Sequence, residues 1–153
     1  MTITGNLKGV NGLKKKFIQM QTRLDTPTAR EMTRILVDMD RDIKQTIQGG
    51  GRSGRVYRVT KGGATHQASA PGEPPKSNTG NLAASFKIFT QRLGKEIIGN
   101  IENFAQYAKY LEFKPKSAGG RPFMRPLYNR WRKRASERLR LTIKTSIKRI
   151  ARG

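Results

Sequence analysis

The stretch SAPGEPPKSNTGNL, Ser69 to Leu82, divides the chain into parts of different character. Pro71, Pro74 and Pro75 fix φ and withdraw backbone donors, while Gly72 and Gly80 admit positive φ, so neither a regular helix nor a paired strand runs through it. Thr79 and Asn81 can bond their own backbone, which suits a loop ending in a turn or cap before the apolar run that begins at Leu82. A loop this closely specified is expected to have a task.

Before the loop, Val56, Tyr57, Val59 and Thr60 favour a strand. Lys61 to Ala64 hold a Gly62-Gly63 turn, and Thr65 to Ala68 can pair back, which predicts a hairpin. After it, Leu82 to Thr90 and Glu96 to Ile101 flank Leu93-Gly94 and predict a second hairpin, with room for a helical turn just after Asn81. Ala105 to Phe113 is compatible with either helix or strand. Further out, Leu7, Val10, Leu13, Phe17, Met20 and Leu24 mark one helical face. Asp25, Thr26 and Pro27 are expected to end that helix and cap a second one, in which Met32, Ile35, Met39, Ile43 and Ile47 line a face before Gly49 to Gly51 stop it. At the other end Leu127, Trp131, Ala135, Leu139, Ile143, Ile147 and Ile150 fall at helical spacing among many cations.

These elements predict one α+β domain over residues 1–153. A helical part (1–48) and a long basic C-terminal helix (122–151) are expected to pack on a small, mostly antiparallel sheet of two hairpins. The hairpins form a β-rich core (52–113) that carries the loop 69–82.

The chain has 153 residues, a net charge of +22 and no cysteine. Disulfides and thiolate metal sites are therefore excluded. Net charge rises along the sequence, +4 over residues 1–50, +7 over 51–120 and +11 over 121–153. Such a charge implies polyanionic or acidic neighbours. The residues expected to meet DNA or an acidic surface are Arg52, Arg55, Arg130, Arg132, Lys133, Arg134, Arg138, Lys144 and Lys148. No apolar run reaches the ~18 residues of a membrane span, and no signal-peptide core is present, so synthesis in the cytoplasm and no membrane partner are expected.

Catalysis is not signalled. His66 is the single histidine and has no cysteine or paired carboxylate nearby, whereas triads and metal sites need several convergent groups. The run GGGRSGR, Gly49 to Arg55, lacks the Lys-Ser/Thr ending of a phosphate loop and reads as a connector. Glu73, Glu96, Glu102 and Glu112 are scattered, and an ion pair of Glu112 with Arg121 or Arg125 is the simplest use for it. No catalytic residue, metal or cofactor is assigned.

Three pieces stand in a particular order: SGRVYR followed by HQASAPGEPPKSNTGNL, then YAKYLEF, then RPFMRPL opening the last helix. Together they resemble the head–tail joining proteins of long-tailed bacteriophages, the neck or tail-completion family, over about residues 50 to 130. The resemblance implies a non-enzymatic structural virion protein. It would form a homo-oligomeric ring at the neck, in the virion after assembly in the host cytoplasm. The expected partners are portal-side head-closure proteins on one side and tail terminator or tail tube proteins on the other, with packaged DNA touched non-specifically. It further implies that Pro71, Gly72, Glu73, Pro74, Pro75, Thr79, Gly80 and Leu82 form one contact or positioning element. Tyr107, Tyr110, Glu112 and Phe113 form a second, and Arg121, Pro122, Phe123 and Pro126 a third. Lys114 and Pro115 stand where many relatives carry Gly and Thr, so the local turn is expected to differ. The rival reading, from charge alone, is a non-specific nucleic-acid-binding protein acting through its C-terminal helix.

Overall fold

The computed structural model describes residues 10–51, 53–59 and 63–152. The chain is α+β, as expected. Helix α1 spans Val10–Gly49, strands β1 (Val56–Arg58) and β2 (Thr65–Gln67) form the first hairpin, and α2 (Asn81–Ala84) is a single turn. Strands β3 (Phe86–Leu93) and β4 (Glu96–Asn103) form the second hairpin, followed by α3 (Ala108–Phe113) and α4 (Met124–Arg152). The two hairpins stay separate two-stranded antiparallel sheets. Tyr57 pairs with His66 in one, and Phe86 with Asn103 in the other. Of the expected first turn, residues 60–62 lie outside the described residues.

The expected break at Asp25-Thr26-Pro27 does not occur: α1 runs straight through Pro27. Proline inside a helix costs about 3 kcal/mol, because it lacks an N–H and crowds the preceding turn. Tertiary packing offsets that cost. The second hairpin lies along this part of α1, with Arg92 Nη2 2.7 Å from Asp25 Oδ2 and the Thr33 hydroxyl donating to Thr90 Oγ1 at 3.0 Å. At Gly99 in β4 an added Cβ would stand 2.6 Å from Met32 Cγ, so the absence of a side chain lets the hairpin lie close to the helix. The hydroxyls of Thr26 and Thr28 donate to the carbonyls of Thr22 and Leu24, the first at 3.4 Å and the second at 2.7 Å. Thr26 therefore serves the helix interior and caps nothing.

The core lies where both long helices meet α2, the start of β3 and α3. Ile35, Ile43 and Ile47 of α1 pack with Leu82, Phe86, Ala108, Phe123, Leu127 and Trp131. Phe86 and Phe123 meet edge to face at 6.0 Å between ring centres. Helices α1 and α4 run antiparallel, joined across their polar flank. The indole N–H of Trp131 donates to Asp42 Oδ2 at 2.7 Å, and Arg138 reaches Glu31 Oε1 and Asp38 Oδ2, each at 2.7 Å.

Candidate interaction surface

The Pro-rich loop is held by the segment that leads into α4. Gly72 N–H donates to the Gly120 carbonyl at 2.7 Å, and Arg121 Nε donates to the carbonyl of buried Ser69 at 3.0 Å. Glu73 ties the loop to itself and to the connector before β1. Its carboxylate accepts from the Ser53 hydroxyl and, at 2.8 Å, from Ala70 N–H. These bonds, that from Ser53 foremost, hold the Glu73 carboxyl below its ordinary value of 4.5. Gly72 and Gly80 take the positive φ read from sequence, 87° and 80°. The helical turn after Asn81 is present as α2.

Glu112 does something the sequence reading did not foresee. In place of an ion pair with Arg121 or Arg125, its carboxylate closes the start of α4. Oε2 accepts from Phe123 N–H at 2.7 Å and Met124 N–H at 2.9 Å, and Oε1 accepts from Arg125 N–H at 3.0 Å. Pro126 comes next and has no N–H, so the orphan donors of the first turn are accounted for by one acid and one proline. A carboxylate there also faces the positive end of the helix dipole. The signal was present in the sequence: an acid shortly before RPFMRP, whose second proline suits a first helical turn.

The three expected contact elements divide by burial. Leu82 and Phe123 are core residues, and Pro75 is buried. Gly72, Glu73, Pro74, Glu112, Arg121, Pro122 and Pro126 are half-buried and hold the local structure together. Pro71, Thr79, Gly80, Tyr107, Tyr110 and Phe113 face outward, Phe113 at 76% exposure. All four tyrosines of the chain are exposed, as are Phe89 and Phe104. A cleft of about 360 Å³ brings together Tyr57, Pro75, Thr79, Tyr107, Leu111 and Arg121. A second, more apolar hollow of about 520 Å³ lies between Phe113, Met124, Tyr128 and Ile101. Aromatic side chains spread over such concavities are the composition of interface cores.

The expected basic contacts also divide. Arg138 and Arg130 face α1: Arg138 grips Glu31 and Asp38, and Arg130 Nη2 lies 3.3 Å from Asp42 Oδ1. The acidic surface these two meet belongs to their own chain. Arg134 lies over the Trp131 ring at 4.6 Å and Arg55 over Tyr57 at 5.7 Å. Arg132, Lys133, Lys144 and Lys148 are exposed and form no ion pair among the described residues. Arg52 lies outside the described residues.

The Arg138 fork has a pH signature. Its hydrogen bond holds the Asp38 carboxyl below the ordinary 3.8. A depressed carboxyl contributes stability that is fully present above its unfolded value and is lost as pH falls through the folded one. Arg138→Ala is expected to cost about 1 kcal/mol at pH 7, since the pair is only partly buried. It should also flatten the decline in stability below the ordinary value of 3.8. Urea denaturation across the acid range checks both; an unchanged acid limb would show that the fork is not what depresses Asp38.

Comparison with known proteins found no matching family model, no matching curated protein and no matching solved structure.

Proposed function

We propose that this chain is a structural subunit of the bacteriophage neck, joining the DNA-filled head to the tail by ring assembly and protein–protein contact, without catalysis. The observation that carries the reading is convergence. The pieces that resemble the head–tail joining family are far apart in sequence, yet Tyr57, Pro75, Tyr107 and Arg121, drawn from all of them, line one cleft. A preset loop beside exposed aromatic side chains can meet a neighbour with little ordering cost. Head-to-tail contacts between identical copies close into a ring when the rotation permits.

Replacing Pro74 and Pro75 together by glycine tests the role of the loop. Ring or neck assembly, followed by mass photometry and electron microscopy, should be impaired more than monomer stability, because freeing the loop raises the ordering cost of contact. Equal loss of both would make the loop structural only.

One observation favours a second reading, non-specific nucleic-acid binding. Arg132, Lys133, Lys144 and Lys148 leave α4 with cations free for phosphate. That reading expects tailed, infectious particles when the protein is absent.

A further inference from the structure

The chain sets ten carboxylates against thirty-two cations, and nearly every acid is engaged within the fold. Asp25, Glu31, Asp38, Asp40 and Asp42 form ion pairs. Glu73 accepts from Ser53 and Ala70, and Glu112 from the first turn of α4. Glu102 stands opposite Lys87 across the second hairpin, and Glu137 lies one turn from Lys133 on α4. That leaves Glu96. It is exposed at the β3–β4 turn, forms no ion pair among the described residues, and faces Leu93 across the register in place of a cation. Leu93 is itself 65% exposed. Residues directly opposite in an antiparallel pair share a face, so the hairpin tip presents one aliphatic side chain and one carboxylate together. Only Gly94 and Lys95 join the two strands, with Gly94 at φ 60°, and a two-residue turn of this kind keeps the tip slim.

The cleft beside the Pro-rich loop has the matching composition. Tyr107 and Leu111 line it together with Lys76 and Arg121, half-buried cations that form no ion pair among the described residues, and its lining contains no acid. The Arg121 guanidinium is fixed by donation from Nε to the Ser69 carbonyl and from Nη1 to that of Gly119. Tip and cleft lie at opposite ends of the body. Arg92, next to the tip, meets Asp25, whereas Ser77 of the cleft donates its N–H to the Ile47 carbonyl. Twenty-two residues of α1 separate Asp25 from Ile47, about 33 Å of helix. Complementary surfaces so far apart cannot meet within one copy, and repeated from copy to copy they make the head-to-tail contact that a ring needs. Repulsion between two cationic copies is screened beyond roughly 8 Å at physiological salt, so the local match governs. We propose that the β3–β4 tip of one copy seats in the Pro-rich-loop cleft of the next, Leu93 against Tyr107 and Leu111 and Glu96 on Arg121 and Lys76. This rests on the ring reading and names the surfaces that close the ring. An acidic partner protein would also satisfy the two cations, but it would leave the exposed Leu93 and Glu96 unexplained.

The absence of cysteine makes the test direct. Lys95→Cys marks the tip and Asn78→Cys the rim of the cleft, both at exposed positions. The two full-length variants, mixed and treated with a short bismaleimide, should give a crosslinked pair in a yield at least about tenfold above that of either variant alone. Adding Glu96→Lys to the tip variant should cut the yield about tenfold, and adding Lys76→Glu to the rim variant should recover it. Glu96→Gln should also lower the yield and keeps the test decisive if the Lys76→Glu variant fails to fold. Equal yields from the mixture and from either variant alone, no crosslink at all, or a yield indifferent to Glu96 would overturn the inference. So would labelling of Asn78→Cys that an oligoglutamate peptide blocks where the tip crosslinks to nothing, which would give the cleft to an acidic partner protein. Neck assembly is scored separately in phage lysates: particles that join heads to tails without this crosslink would sink the tip contact alone and leave the neck reading standing.

Discussion

Gly120→Ala should destabilise the protein by about 3 kcal/mol, among the largest effects of a single methyl group anywhere in the chain. Gly120 is buried, and a Cβ built there would overlap the carbonyl oxygen of Lys114 and stand 2.7 Å from its carbon and 3.0 Å from the Pro115 oxygen. These are backbone atoms of a loop that hydrogen bonds tie to its surroundings. Gly120 N–H donates to Pro115 O at 3.0 Å, and the Gly120 carbonyl receives Gly72 N–H at 2.7 Å. Relieving the overlap therefore moves the crossing point at which the Pro-rich loop is anchored. The neighbouring Gly119 is the control. It has φ 85° but nothing within 4 Å of a built Cβ, so Gly119→Ala should cost only about 1 kcal/mol, the strain of a left-handed alanine. Urea midpoints at constant m-value compare the two; equal losses would mean that the crossing yields easily and does not fix the loop.

Glu112→Ala should cost about 2 to 3 kcal/mol, because the part-buried N–H groups of Phe123 and Met124 and the exposed one of Arg125 lose a charged acceptor at once. Glu112→Gln should cost roughly half as much, since one amide oxygen still accepts while the NH₂ group opposes an N–H. Helix α4 would lose its fixed start, and with it the placing of Phe123 against Phe86. Amide exchange locates the effect: Phe123, Met124 and Arg125 should lose protection first, ahead of the α1–α4 contact at Trp131. Uniform loss of protection along α4 would show that Glu112 is not a local cap.

What the sequence made legible follows from the kind of physics involved. Turn chemistry is local, so Gly72, Gly80 and Gly94 marked turns that exist, at φ 87°, 80° and 60°. The helical spacing from Leu127 to Ile150 likewise found α4, because burial of one helical face leaves a periodic record. Pro27 misled because its penalty is local while the packing that overrides it, through Arg92, Thr90 and Gly99, comes from more than sixty residues away. Arg130 and Arg138 read as free cations for the same reason: their acids, Asp42 and Glu31 with Asp38, stand on the opposite end of the sequence. The contact elements were legible as constrained segments, but burial divides them. Glu112, Phe123 and Pro126 hold the scaffold, whereas Tyr107, Tyr110 and Phe113 are available to a neighbour.

Location in the particle separates a joining subunit from a free nucleic-acid-binding protein. Phage lysates made without this protein should be imaged by electron microscopy and titred for infectivity. The neck reading predicts DNA-filled heads and free tails that remain unjoined, with infectivity restored when the purified protein is added. Normally tailed, infectious particles in its absence would contradict it.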